Sequence, residues 1–435
     1  MKREAISLIV LCLSLTFLSC VEEVEINDSL QSEINIENVL IVEATITDEF
    51  INQEVLLSRG SSFANDSVLV YEPNASVTVV DDLGATFLFN YTSDGRYVSS
   101  EPFATQSGRS YQLFITTSEG EAYESEPVSS AGVSSIDTIY TERITSDNGV
   151  EGMAIFVDSS NPFGAFNNYR YTYAETYKII APNWTSSEFE IIREGIETII
   201  DETTGEVEDI LYPDVRLAPR LQEEQKCYNT VLSNSIILSD GLTLNESGIG
   251  RNQVRFINRN DPILSHRYSI LVKQFLQSPD AVNFYNTLFQ FSQNENLFSE
   301  IQPGLIEGNI KSIGNTENIA LGYFEVASVA ERRLFFNYSD FFPDEPLPPY
   351  FDNLNCSNVF SPPLPNPLRD GPSSLEECGA QRVLMEYLLA EEVEFFLSNS
   401  NPPPLCEGPY YVTLRACGDC TALGSNVVPD FWTEE

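Results

Sequence analysis

The chain has 435 residues, enough for two or three domains, and its 65 acidic and 23 basic residues give a formal net charge of −42 at pH 7. Such a surface repels nucleic acid and anionic lipid headgroups, which bind clustered Lys and Arg, so nucleic-acid binding is excluded. Solubility is the simplest explanation of this charge, and attraction of cations or basic peptides is the alternative.

The first twenty residues have the order of a secretory signal. Lys2 and Arg3 precede an apolar run over residues 6–18, which is shorter than the roughly 20 residues that a membrane-spanning helix needs. Leu18-Ser19-Cys20 then resembles the bacterial lipobox, in which the cysteine thiol is acylated before cleavage. We predict a signal peptide over residues 1–19 and lipidation of Cys20, because several acyl chains hold a protein on a membrane. The alternative is an ordinary signal peptide with an incidental cysteine.

Residues 20–37 are polar and without periodicity, which predicts a lipidated tether. From residue 38 to residue 128, short segments alternate apolar and polar positions, and turn residues separate them. Roughly seven strands at about ten-residue spacing predict an immunoglobulin-like β-sandwich. The strands are expected near residues 40–46, 54–58, 77–79, 87–89, 96–99, 111–115 and 121–125.

Residues 131–435 predict a larger β-rich domain with a few helices and a Cys-rich end. One helix start is well specified, because the Ser278 side chain can accept from first-turn amides and Pro279 suits the first helical position. This helix is expected near residues 279–292, and a second one within residues 376–397. The first helix has an apolar stripe that we expect to be buried on a sheet: Ala281, Phe284, Tyr285, Leu288 and Phe291.

Further strands are expected in this second region, most of them from alternating apolar residues. They lie near residues 169–173, 189–192, 197–200, 234–238, 253–257, 267–275, 321–329, 334–338 and 410–415. The acidic residues 201–209 are expected to form the exposed end of a hairpin.

Six of the eight cysteines remain once Cys12 leaves with the signal and Cys20 is acylated: Cys227, Cys356, Cys378, Cys406, Cys417 and Cys420. An even number in an exported chain predicts disulfides. The spacing of Cys417 and Cys420 is also compatible with a zinc site or a redox pair. An oxidising exterior favours disulfides over the free thiolates that zinc needs. A redox pair needs a thiolate at a helix start, whereas the predicted context is a strand followed by a loop. We expect Cys417 and Cys420 to bridge to Cys378 or Cys406 rather than to each other.

Catalytic motifs are not apparent. The only histidine, His266, lies at the start of a predicted strand, without a Gly-x-Ser-x-Gly elbow or a reactive cysteine beside it. Residues 201–209 lack the spacing and terminal Glu of a calcium loop, and no phosphate-binding glycine loop follows a strand. We therefore predict a protein that is not an enzyme and that holds no metal or cofactor.

Seven segments have an order and spacing that resemble a known family: residues 42–48, 95–97, 108–111, 268–286, 308–310, 321–324 and 417–432. Together they resemble the Bacteroidota outer-membrane lipoproteins of domain of unknown function 4249, over nearly the whole mature chain. This resemblance implies a lipid-anchored protein of the outer membrane and cell surface, with a TonB-dependent receptor as partner. Glu22 and Glu23 are similar to the acidic signal that exports lipoproteins of this phylum to the surface, and a solvated linker is the alternative.

The resulting hypothesis is a surface-exposed, non-catalytic binding accessory of a TonB-dependent outer-membrane receptor. The alternative is a stand-alone adhesin or matrix-binding lipoprotein. Neither the residues nor the resemblance identifies the ligand.

Overall fold

In a computed structural model, the described residues are 39–60, 70–160, 168–200, 207–239, 244–245, 248–293, 306, 308–315, 318–351, 354–363, 382–400 and 407–434. The chain is mainly β, as predicted, with several sheets and two disulfides near its C-terminal end. Within these ranges, no helix is both long enough and apolar enough to cross a bilayer.

The first unit contains all seven strands expected in it. They are β1 (Leu40–Thr47), β2 (Glu54–Arg59), β4 (Ser76–Asp81), β5 (Thr86–Tyr91), β6 (Arg96–Ser99), β7 (Ser110–Thr116) and β8 (Ala122–Ser125), with two short additions, β3 (Val70–Tyr71) and β9 (Val128–Ser129). Their order is β1-β2-β6-β5-β4-β7-β8, so β1-β2-β6 and β4-β7-β8 form the two runs of an immunoglobulin-like sandwich. Alternate residues face one core, among them Val42, Leu57, Val79 and Leu113.

Residues far along the chain complete this first core. The sequence predicted a division between two domains near residue 130, and these residues lie beyond it. β20 (Ile310–Ser312) pairs with β8, and the first half of β21 (Ala320–Asn337) pairs in parallel with β1. Ile310, Phe324 and Val326 are buried in the same cluster as the sandwich residues. The Asn309 amide joins the two added strands, since it donates to the Phe324 carbonyl (2.9 Å) and accepts from the Phe324 amide (2.8 Å). The N-terminal sandwich therefore does not end at residue 128.

The second unit packs two sheets around a separate core. One sheet has the order β15-β12-β19-β21 and the other β10-β11-β18-β17. The buried residues between them include Ile155, Tyr171, Ile270 and Val272. The strands are β10 (Thr138–Thr145), β11 (Glu151–Ser160), β12 (Tyr169–Ile180), β15 (Lys226–Leu232), β16 (Ile237–Leu238), β17 (Leu244–Asn245), β18 (Gly248–Asn258) and β19 (Arg267–Leu276).

The 18 residues of β21 connect the two units. Residues 321–329 and 334–338 were predicted as separate strands, but the structure makes one strand from Ala320 to Asn337. Its first half pairs with β1, and its second half, Ser328 to Asn337, pairs antiparallel with β19. The charged residues Glu331 and Arg332, which lie between the two predicted strands, are exposed, and their backbone continues the ladder with β19.

Two hairpins lie outside the main sheets. β13 (Ser187–Ile200) and β14 (Val207–Pro219) form the predicted hairpin, whose connecting residues 201–206 lie outside the described ranges. β22 (Val393–Ser398) pairs with β23 (Tyr410–Leu414). The second helix predicted within residues 376–397 is α3 (Leu384–Leu389). Strand β22 follows it, and its Val393 and Phe395 side chains are buried, with Val393 in a small core beside Val412.

Two disulfides hold the C-terminal end, and one of them ties it to β15 of the second unit. They join Cys227 to Cys420 and Cys356 to Cys417. As predicted, Cys417 and Cys420 are not bridged to each other. The expectation that they bridge to Cys378 or Cys406 was wrong. Cys378 and Cys406 lie outside the described residues. Tertiary pairing explains the difference, because the Tyr228 amide and carbonyl bond to Ser425 and bring the end of the chain against β15.

Candidate functional site

The outer face of the first unit forms the floor of a groove. On β1, Val42 and Ala44 face the core, so Ile41, Glu43 and Thr45 face outward. Parallel register places Leu321, Tyr323 and Glu325 of β21 beside those three outward residues, in that order. Leu56 on β2 lies opposite Glu43 and extends the floor.

Helix α1 (Pro279–Gln293) covers part of this floor. It begins as predicted, with the Ser278 hydroxyl accepting from the Ala281 amide (3.2 Å). Phe284 stacks on Tyr323 with a 5.2 Å ring separation. The predicted stripe is only partly buried, however: Ala281 is fully buried, while Phe284, Tyr285, Leu288 and Phe291 keep intermediate exposure.

The space left between helix and sheet is a groove of about 720 Å³. We call it the α1 groove; its apolar lining is Ile41, Leu56, Phe284, Tyr285, Leu288 and Leu321. A second cavity of about 670 Å³ shares Phe284 and Tyr323 with it and is bordered by Glu126 and Asp280. Cavities of this size, mainly apolar with a few polar groups, are typical of small-ligand sites.

The charged residues that line the groove are Glu43, Glu54, Arg96 and Arg170, and Arg170 belongs to a buried ion pair with Glu325. The Arg170 Nη2 atom donates to the Glu325 Oε2 atom at 2.7 Å, and the two side chains are 12% and 2% exposed. The guanidinium carbon lies 4.4 Å from the Phe275 ring centre and 4.6 Å from that of Tyr285. Thr45 (3.3 Å) and Tyr285 (3.4 Å) also donate to Glu325.

Burial and this carboxylate determine the ionisation of the site. Burial alone lowers the pKa of Arg170, but the charge of Glu325 outweighs it and the pKa is raised, so the arginine stays charged. Burial and the charge of Glu325 raise the pKa of Tyr285, which keeps its hydroxyl as a donor. Among the described residues, Arg170 Nε and Glu325 Oε1 find no hydrogen-bond partner. The ion pair therefore keeps an unused donor and an unused acceptor, and of its two residues Arg170 lines the groove.

Breaking this ion pair is expected to be costly. Replacing Glu325 with leucine leaves Arg170 charged and buried, so the free energy of unfolding should fall by about 3–5 kcal/mol. The double variant Arg170→Met/Glu325→Leu should recover most of that loss, because neither charge remains. Urea denaturation of both variants measures the difference.

The exposed pair Arg216–Glu190 on β14 and β13 is the matched control. Glu190→Gln should leave the urea midpoint nearly unchanged, because solvent screens this pair. A single Glu325→Leu variant as stable as the parent chain would contradict a strong contribution from the buried pair.

The site residues predicted from sequence lie elsewhere. Cys20, Glu22 and Glu23 are outside the described residues. His266 borders a separate small cavity beside Lys178 and Arg267. No group of three or more His, Cys, Asp or Glu side chains that could hold a metal ion occurs in the described part of the chain.

Arg170 and Glu325 were not identified from the sequence. They are 155 residues apart, and each is one of several charged residues in its strand. The one sequence feature that pointed to this site was the apolar stripe of α1, which includes Tyr285. We expected that stripe to be buried on a sheet. Tyr169 and Tyr171, on the other face of β12, are buried in the second core.

Comparison with known proteins adds one match. The family described as Domain of unknown function (DUF4249) matches residues 22–333. The matched range contains both sides of the α1 groove and all of the first unit. It ends before the C-terminal cysteines, so it is shorter than the resemblance inferred over nearly the whole mature chain. No curated protein matches the chain.

Proposed function

Because the chain belongs to the family of the domain of unknown function DUF4249, we propose that it is a lipid-anchored outer-membrane lipoprotein of the Bacteroidota. It acts at the cell surface as a non-catalytic binding accessory of a TonB-dependent receptor. Its binding site is the α1 groove.

The sequence Leu18-Ser19-Cys20, at the end of a secretory signal, supports the lipid anchor. Acylation of Cys20 holds the protein at the membrane through the polar tether of residues 20–37. Glu22 and Glu23, two and three residues after the anchor, support export to the cell surface.

The α1 groove supports a binding role. It has a mainly apolar lining that includes the largely buried Arg170, whose Nε atom finds no hydrogen-bond partner among the described residues. These features suit a ligand with an apolar body and a polar group that accepts hydrogen bonds. A receptor accessory needs such a site to hold a ligand beside the transporter.

Replacing Cys20 with alanine should abolish anchoring. We expect loss of incorporated alkyne-palmitate and loss of the protein from the outer-membrane fraction, because the thiol is the acylated group. Cys12→Ala is the matched control, since Cys12 lies within the apolar run of the signal and should leave labelling and fractionation unchanged. A Cys20→Ala chain that keeps its acyl label and its membrane location would refute the anchor.

The receptor association is tested by affinity purification from detergent-solubilised outer membranes. We expect a TonB-dependent β-barrel receptor to co-purify with the parent chain. Recovery without any such receptor, together with adhesion defects and normal nutrient uptake on gene deletion, would favour the adhesin alternative instead.

A further inference from the structure

A second site lies on the outer face of the second unit. The β19–β21 register places Arg267 opposite Asn337, and Lys178 on β12 lies along the same border. His266 immediately precedes β19, and Ser339 follows Asn337 in the short helix α2 (Tyr338–Phe341). These residues border a cavity of about 310 Å³, which we call the Arg267 pocket.

Arg267 is a buried cation that forms no ion pair with a carboxylate of the described residues. It is 7% exposed, and no carboxylate of the described residues lies within ion-pair distance of its guanidinium. Its bonds go to neutral oxygens, Asn337 Oδ1 at 3.2 Å and Thr433 Oγ1 at 3.3 Å, while Nε has no hydrogen-bond partner in the described chain. By contrast, the largely buried Arg170 and the half-buried Arg255 are paired with glutamates. A buried guanidinium gains most from a carboxylate.

A carboxylate already occupies one edge of this pocket. Glu434 contacts the Lys178 Nζ atom with both oxygens, at 2.9 and 2.8 Å. The Glu434 side chain is 56% exposed, while that of Lys178 is 13% exposed. The Tyr228 hydroxyl also donates to Glu434, at 3.2 Å. Solvent screening weakens the contact with Lys178, so another carboxylate can compete with Glu434 for that lysine.

The surroundings are electropositive in spite of Glu434. Burial lowers the pKa of His266, and the charge of Lys178 lowers it further. In a chain of net charge −42, the pocket thus brings together two cations and an imidazole around one displaceable carboxylate.

We propose that the Arg267 pocket binds a small carboxylate-bearing molecule, with its carboxylate held by Lys178 and Arg267 in place of the Glu434 side chain. The volume of about 310 Å³ suits a free metabolite-sized acid. This site is separate from the α1 groove, and its function does not depend on the lipid anchor.

Calorimetric titration of the full chain with succinate at physiological salt tests the proposal. Glu434→Gln should bind succinate about tenfold more tightly than the parent chain, because it removes the competing carboxylate and keeps the side-chain shape. If the pocket had only a structural role, Glu434→Gln would not bind succinate more tightly than the parent chain.

Arg267→Met and Lys178→Met should each weaken succinate binding by about tenfold. Lys178→Met tests the proposal even if Arg267→Met fails to fold, because Lys178 lies at the edge of the pocket and its replacement should disturb the fold less. Lys311→Met, which changes an exposed lysine of β20, is the control and should bind as the parent does. Absence of binding to both the parent and Glu434→Gln, or an affinity that Glu434→Gln leaves unchanged, overturns the proposal.

Discussion

Replacing Gly322 with alanine should lower the free energy of unfolding by roughly 3 kcal/mol. Gly322 lies in β21 with a φ of +130°, and a Cβ atom there would be 1.9 Å from the Val42 carbonyl oxygen. Val42 is its partner in the parallel ladder with β1, so the clash would push apart the strands that join the two units. Urea denaturation, followed by circular dichroism, measures the loss.

The same position affects the candidate site. Leu321 and Tyr323, on either side of Gly322, belong to the floor of the α1 groove. Gly308 has a related restriction, because its Cβ would lie 1.7 Å from the Gly322 carbonyl oxygen. Gly322 thus allows β21 to approach β1 closely, and Gly308 allows the segment before β20 to approach β21.

Gly120→Ala separates backbone strain from the clash. Gly120 also has a positive φ, +87°, but a Cβ there meets no atom within 4 Å. We expect a loss of about 1 kcal/mol at this turn, from backbone strain alone. Equal losses at Gly120 and Gly322 would show that the close approach of β1 and β21 contributes nothing.

Removing the bridge between Cys227 and Cys420 should have the largest effect on stability. The bridged residues are 193 apart in sequence, and in the chain-entropy model closing such a loop contributes about 5 kcal/mol. The bridge between Cys356 and Cys417 spans 61 residues and should contribute about 4 kcal/mol. The double variants Cys227→Ala/Cys420→Ala and Cys356→Ala/Cys417→Ala, compared in urea denaturation, measure both losses.

Peptide mapping without reduction tests the pairing directly. We expect linked peptides that contain Cys227 with Cys420 and Cys356 with Cys417. A peptide linking Cys417 or Cys420 to Cys378 or Cys406 would contradict the pairing. An unfolding midpoint that a reducing agent does not change would contradict the stabilising role.

The local elements were largely predictable because each is defined by neighbouring residues. The seven strands of the first unit have alternating burial, such as that of Val77 and Val79 on β4, and the sequence shows this period directly. The start of α1 is equally local, since Ser278 and Pro279 act within one turn. β11 was missed for the converse reason: residues 152–157 are buried continuously, so no alternation marks the strand.

Only the tertiary structure decided how these elements combine. The parallel pairing of β1 with β21, the contact between Arg170 and Glu325 and the partners of Cys417 and Cys420 join residues far apart in the chain. Sequence patterns report which face of a strand is buried, but many strand pairings satisfy the same pattern. The pairing that forms is selected by close packing, as at Gly322 and Val42, and that selection creates the α1 groove.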